Sequence, residues 1–219
     1  MLLPESASTV APHVDHRFWI ILGITGFFFF LVQGALLLFV LLYRARPERQ
    51  AAYLHGNTLV EIVWTIIPAL ILLWLTLASQ KVWAEIRFPK QMPTPKVEVE
   101  ILAEQFAWNI RYPGPDNQFG TPDDVTTLNQ LHLPVGEPVR IRILSKDVIH
   151  SFFVAEFRLK QDAVPGLPTQ VWLKATRPGE FEIRCAELCG LGHYRMRGFV
   201  TTESKEQFET WLKETKINE

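Results

Sequence analysis

The residues of this chain best suited to chemistry crowd into one short run. Cys185-Ala-Glu187-Leu-Cys189-Gly-Leu-Gly-His193-Tyr-Arg-Met196 places two thiols, an imidazole and a thioether within twelve residues. Soft sulfur together with imidazole suits copper or zinc. Zinc usually takes four strong ligands, and methionine is a poor one. Histidine, cysteine and a weak axial methionine are the ligands of copper electron-transfer sites. A mononuclear site of that kind uses one cysteine. Two thiolates can instead each bridge two ions, leaving one histidine for each ion. The second histidine must then come from elsewhere. His150, in Asp147-Val-Ile-His150-Ser-Phe-Phe, stands at the end of a predicted strand, and strand pairing can bring it beside the cysteine loop. Gly190 and Gly192 permit φ > 0 and close backbone approach within the loop.

Each of these residues has a plainer reading when taken alone. Cys185 and Cys189 could pair as a disulfide in an oxidising compartment. Met196 could fill core space, and His150, flanked by apolar residues, could be a hydrogen-bonded core histidine. The constellation favours a metal over each of these. The rest of the sequence excludes several other classes. The chain has only two cysteines, so it has no disulfide framework. It has no C-x-x-C-H run for covalent haem and no glycine-rich nucleotide motif. A net charge of -1 gives no sign of a nucleic-acid partner.

The elements that must position the site fall into two kinds. Residues 1–17 form a short polar external segment. Phe18 to Tyr43 is almost unbroken apolar sequence, and about 26 residues at roughly 1.5 Å each exceed the bilayer core of about 30 Å. Arg44, Arg46 and Arg49 follow as a basic loop, which the positive-inside rule assigns to the cytoplasm. A second apolar segment runs from Leu59 to Trp83 and contains Pro68, which membrane helices tolerate. Residues 18–88 therefore read as a transmembrane helix hairpin with both chain ends outside. Thr58 and Glu61 are spaced as a capping box for the second helix.

Pro89, Pro93 and Pro95 make residues 89–96 a linker. Short β-type runs follow across 97–202: 97–103, 106–112, 139–144, 151–155, 170–175, 181–185 and 197–201. Val97, Val99 and Ile101 alternate with Glu98 and Glu100, the period of a half-buried strand. Many short strands between Pro/Gly turns predict a β-sandwich or Greek-key barrel. Residues 203–219 hold a terminal helix, with Phe208, Trp211 and Leu212 as its core-facing stripe. The fold class expected is an α+β membrane protein: a two-helix hairpin, an all-β barrel and a short C-terminal helix.

On these residues the chain resembles subunit II of the haem–copper cytochrome c oxidases of bacterial type, over nearly its whole length. Cys185-Ala-Glu-Leu-Cys189-Gly-Leu-Gly-His193-Tyr-Arg-Met196 is similar to the family's loop for the binuclear copper centre called CuA. The resemblance implies a cupredoxin-like domain in which Cys185 and Cys189 bridge the coppers. His150 and His193 are then terminal ligands, and Met196 and the Glu187 carbonyl are weak ones. The Glu187 carboxylate would reach a magnesium or manganese ion shared with subunit I. Glu61-Ile-Val-Trp64-Thr65-Ile-Ile-Pro68 resembles the family's second helix, where the glutamate lies at the mouth of a proton path. The implied partners are subunit I, other oxidase subunits, membrane lipid and a c-type cytochrome donor. The implied place is a bacterial inner membrane, crossed twice, with the copper domain on the periplasmic side.

The implied activity is electron uptake for a proton-translocating oxidase, with oxygen reduced at the haem and copper of subunit I. This chain itself offers no general base, nucleophile or open metal position for oxygen chemistry. A membrane copper carrier and a structural subunit of a quinol oxidase are the rival readings. A nitrous oxide reductase would need a large catalytic domain that the chain lacks. Two departures from the family stand out. Phe106 occupies the position where relatives served by soluble cytochrome c carry tryptophan, leaving Phe106 and Trp108 as candidates for electron uptake. Leu167 follows Pro165-Gly166 where many relatives have arginine. The loop from Pro113 to Asp124 carries Asp116, Asp123 and Asp124 around a turn. Oxygen ligands of this kind can hold calcium, although the expected role is a solvated turn.

Overall fold

The computed structural model describes residues 3–50, 52–88 and 93–217. The chain divides into two compact units, 15–83 and a second made of 1–14 with 84–219.

The first unit holds most of two long helices, α1 (Ala11–Leu42) and α2 (Thr58–Arg87). Both are long and apolar enough to cross a membrane. Their apolar side chains are exposed on every side: Phe30 is 74% exposed and Leu72 63%. Such all-round apolar surface suits lipid rather than water. Helix α1 starts at Ala11 rather than Phe18, because His13, Asp15 and His16 are themselves helical. The expected capping box shifts by one residue. Asn57, not Thr58, caps α2: its Oδ1 accepts the N–H groups of Leu59 and Val60 at 3.1 and 3.2 Å. Asparagine outranks threonine as a cap, and Glu61 then falls one position past the box.

The second unit is a β-sandwich. Its first sheet contains β1 (Val97–Glu104), β2 (Ala107–Tyr112), β3 (Val125–Leu128), β5 (Pro138–Ser145) and β8 (Thr169–Lys174), in the order β3-β2-β1-β5-β8. Its second contains β4 (Gln130–Pro134), β6 (His150–Val154), β7 (Leu159–Ala163), β9 (Gly179–Cys185) and β10 (Arg197–Glu203), in the order β4-β10-β9-β6-β7. The pairs β1/β5 and β4/β10 are parallel and the rest antiparallel. The alternation seen in the sequence sets the core: Val99, Ile101 and Ala103 of β1 point inward, between half-buried Glu98, Glu100 and Leu102. Side chains from both sheets share one apolar cluster. The seven anticipated strands are present. Strands β3, β4 and β7 were not anticipated, being short, polar or both.

The ends of the chain also pack on this unit. In the N-terminal segment Ala7, Ser8 and Ala11 are at most 2% exposed. Ala7 N–H donates to Glu156 O at 2.9 Å, and Thr9 N–H to Lys174 O at 3.1 Å. Ser8 Oγ donates to Phe157 O at 2.9 Å and accepts the Ala11 N–H at 3.1 Å, closing the start of α1. At the other end, α3 (Lys205–Ile217) opens with a reciprocal Ser204–Gln207 box. It buries Phe208 as expected, with Trp211 and Leu212 half-buried. Trp211 stacks on His132 with centroids 3.9 Å apart. Pro93 and Pro95 lie in irregular chain; Pro89, Asn218 and Glu219 fall outside the described residues.

Candidate metal centre

Strand pairing brings His150 to the cysteine loop. In β6, Phe152 lies opposite Cys185 of β9, so His150, at the start of β6, is near the end of β9. The loop 186–196 leaves β9 and returns into β10. A short 3-10 turn at His193–Arg195 presents His193 and Met196 back toward the cysteines.

The donor atoms form a chain of near contacts. His150 Nδ1 is 4.0 Å from Cys185 Sγ, Cys185 Sγ is 3.7 Å from Cys189 Sγ, and Cys189 Sγ is 3.6 Å from His193 Nδ1. Met196 Sδ lies 3.7 Å from Cys189 Sγ, and Glu187 O lies 3.2 Å from Cys185 Sγ. Each imidazole thus faces a different sulfur. Both cysteines are free thiols, so the disulfide alternative does not describe this structure. His150, Cys185 and Cys189 alone place their ligand atoms within 4.8 Å of one another. A metal–sulfur bond is about 2.3 Å, so one ion can reach both sulfurs. The donor set fits a soft metal, and its two thiols and two imidazoles fit a pair of ions. Burial pushes the Cys189 thiol up to about 12, aided by the adjacent Cys185. A metal ion must therefore displace a proton there to bind.

Around the donors lies a supporting layer that sequence reasoning missed. His150 is fully buried, and its Nε2 lies 2.8 Å from Asp147 Oδ1. An ionised carboxylate only accepts, so Nε2 donates in this contact and Nδ1 is the nitrogen turned to the sulfur side. Asp147 Oδ2 accepts the Gln105 N–H at 2.7 Å, and Gln105 Nε2 donates to Cys189 O at 2.6 Å. Burial opposes ionisation of Asp147, but the bonds from His150, Gln105 and Val148 outweigh it and hold its carboxyl below the usual range. The only sequence signal was an aspartate three residues before the histidine. The contact with Gln105 is tertiary and has no local signature.

The two glycines divide the roles assigned to them. Gly190 has φ +134, a conformation that favours glycine. Gly192 has an ordinary φ of −92, but a Cβ there would lie 2.5 Å from Phe106 Cδ2. The half-buried Phe106 ring therefore lies directly on the loop. Trp108 is fully buried, 5.7 Å from Phe152 and 6.3 Å from His150 between ring centroids. It is a core residue beside the site, and its Nε1 has no hydrogen-bond partner among the described residues.

The remaining candidates lie elsewhere. The Glu187 side chain is exposed and belongs to no group of three or more such ligand side chains among the described residues. Glu61 belongs to the helical unit, in the first turn of α2. Asp124 of the acidic loop is turned inward. Its Oδ2 accepts the Gly120 N–H at 2.7 Å and lies 3.5 Å from Arg111 Nε. Leu167 is 59% exposed.

A β-sandwich that gathers two thiols, two imidazoles and a thioether at one end, on a chain with two membrane-length helices, defines a membrane-anchored cupredoxin-like protein. Known proteins give that class a family. The family model described as the periplasmic domain of cytochrome c oxidase subunit II matches residues 104–202, and that of its transmembrane domain matches residues 1–82. Cytochrome c oxidase subunit 2 of Thermostichus vulcanus is 35% identical over 97% of this chain and 78% of its own length. The alternative cytochrome c oxidase subunit 2 of Bradyrhizobium diazoefficiens is 34% identical over 93% of this chain and 80% of its own. The crystal structure of the periplasmic domain of subunit II of cytochrome oxidase from Bradyrhizobium japonicum is 27% identical, with a TM-score of 0.50 over 58% of this chain and 98% of that one. This chain belongs to the cytochrome c oxidase subunit II family.

Proposed function

We propose that this chain accepts electrons from a c-type cytochrome at a binuclear copper site and delivers them toward haem in subunit I of a terminal oxidase. The observation that carries the proposal is the donor chain itself, with two sulfurs 3.7 Å apart and each flanked by a different imidazole. Copper so held supplies one-electron chemistry in which no substrate bond is made or broken. The protein's part is to hold the donors still. Cys185, Cys189, His150 and His193 would hold the copper, with Met196 Sδ and Glu187 O as weaker donors. Asp147 fixes the His150 ring, and Phe106 covers the loop.

The wider reading rests on family membership. It comprises a bacterial inner membrane with the copper domain on the periplasmic side, subunit I as the acceptor, and proton translocation by the whole complex. Glu61 at the start of α2 and the exposed Glu187 carboxylate are available for the proton-path and magnesium or manganese roles that the family resemblance implies. Both roles need residues of subunit I to complete them. One relative's domain, 27% identical with a TM-score of 0.50, was solved as a mixed disulfide with a thioredoxin-like protein. A similar reductant would serve this chain, since Cys185 and Cys189 must both be thiols to take up copper.

The test is copper counting with electron paramagnetic resonance on the purified full chain. Hyperfine structure of one electron shared equally between two copper nuclei, at two coppers per chain, is expected. A mononuclear spectrum at one copper per chain would refute the binuclear site. In the assembled oxidase, Cys185→Ser or Cys189→Ser should abolish rapid haem reduction.

A further inference from the structure

Arginines rim one side of the metal loop. Arg184, Arg195 and Arg197 line a cleft of about 600 Å³ whose wall includes Cys185, His193 and Met196. Arg184 is committed locally, with Nη2 2.6 Å from Glu182 Oε2. Arg195 and Arg197 are exposed, and neither forms an ion pair among the described residues. Arg197 instead lies over the Phe199 ring, 5.8 Å from its centroid. The cleft therefore carries two uncompensated positive charges next to the donor atoms. The same loop displays Leu191, Tyr194 and Leu188, which are 95%, 84% and 79% exposed. Three large apolar side chains held in water on one short loop are costly unless something covers them. An apolar centre with a charged rim is the anatomy of a protein docking patch, and the sign of the rim selects the partner.

We infer that this face receives a donor protein whose redox edge is ringed by carboxylates, rather than one with a basic rim. The inference rests on the electron-accepting function proposed above and supplies the surface chemistry of the donor. Arg195 and Arg197 steer the encounter, and Leu191 and Tyr194 form the dry contact once the proteins meet. Neither arginine acts on the electron itself. Their contribution is to the association rate, which makes it sensitive to salt.

The experiment uses the complete oxidase in detergent and two ferrous c-type cytochromes of similar potential, one acidic and one basic. Each ferrous haem gives up one electron, and the readout is its oxidation rate. At low salt the acidic cytochrome should react about ten-fold faster or more, and its rate should fall as salt rises. Arg195→Glu with Arg197→Glu should remove that advantage at low salt while leaving copper content, the copper spectrum and reduction by a small neutral reductant unchanged. Arg195→Gln with Arg197→Gln should give an intermediate rate. Equal or faster oxidation of the basic cytochrome, unaffected by either double variant, would overturn the inference and leave the electron-accepting function standing. Inhibition by phosphate but not by chloride at matched ionic strength would overturn it too, marking a small-anion site. If neither cytochrome were oxidised while the small reductant still reduced the copper, the proposed function would fall with it.

Discussion

Asp147 and His150 are joined by a 2.8 Å contact between Oδ1 and Nε2, and that contact settles which imidazole nitrogen faces the sulfurs. The second carboxylate oxygen is also in use, accepting the Gln105 N–H. One side chain thus ties a candidate ligand to the residue that holds the Cys189 carbonyl. Asp147→Asn keeps the shape but replaces one acceptor with a donor, which must face either the His150 or the Gln105 N–H. Copper affinity should fall about 10–100-fold, the usual effect of losing such a partner. Competition with a copper(I) chelator measures it; an unchanged affinity would mean that the His150 ring is held by its packing alone.

Gly192 should tolerate no methyl group while Phe106 is present. The added Cβ in Gly192→Ala would fall 2.5 Å from the Phe106 ring, and such overpacking costs about 1–3 kcal/mol. Phe106→Ala in the same chain should recover part of that loss. The two changes should therefore be non-additive in a denaturation cycle, whereas simple additivity would show that the ring moves aside freely.

Acid should weaken the sandwich in part through Asp162. Its carboxyl is held below the usual range, first by the Ser151 hydroxyl at 2.6 Å and next by Lys160 at 3.0 Å. A carboxylate with a depressed folded pKa stabilises the fold above its unfolded value of about 4. That contribution is lost as pH falls through the folded value. Asp162→Asn should be less stable than the parent at neutral pH and lose less on acidification. Urea midpoints followed from neutral to acid pH would show the two curves converging; parallel curves would exclude Asp162 as a source of the acid response.

Ser8 is predicted to be a stability residue, although its surrounding sequence reads as a loose terminus. It is 2% exposed and bonds both Phe157 O and Ala11 N. Ser8→Ala should cost about 1–2 kcal/mol, the range for a lost cap or buried hydrogen bond. A thermal midpoint equal to that of the parent would contradict this.

Legibility in the sequence followed the range of each interaction. The loop from Cys185 to Met196 and the alternation of Val99 and Ile101 are local patterns, and the structure holds both as expected. His150 was reachable because it stands at one end of a predicted strand, where strand pairing can bring it beside the loop. Asp147 and Gln105 were missed as a pair because their contact spans 42 residues and neither is unusual alone. Strand β7, Leu-Lys-Gln-Asp-Ala, is a polar edge strand whose pairing with β6 decides its form, so propensity gave no signal. The start of α2 was misread by one residue because two capping residues, Asn57 and Thr58, stand side by side.

The hydrogen bonds of the N-terminal segment also fix a parity. Ala7, Ser8 and Thr9 bond residues 156, 157 and 174, so these stretches must end up in the same aqueous space. The chain between them leaves the β-sandwich unit after Val14 and rejoins it at Ala84. An excursion that starts and finishes in one compartment crosses the membrane an even number of times. The two membrane-length helices satisfy that requirement, and the evenness follows from these hydrogen bonds independent of where the arginines lie.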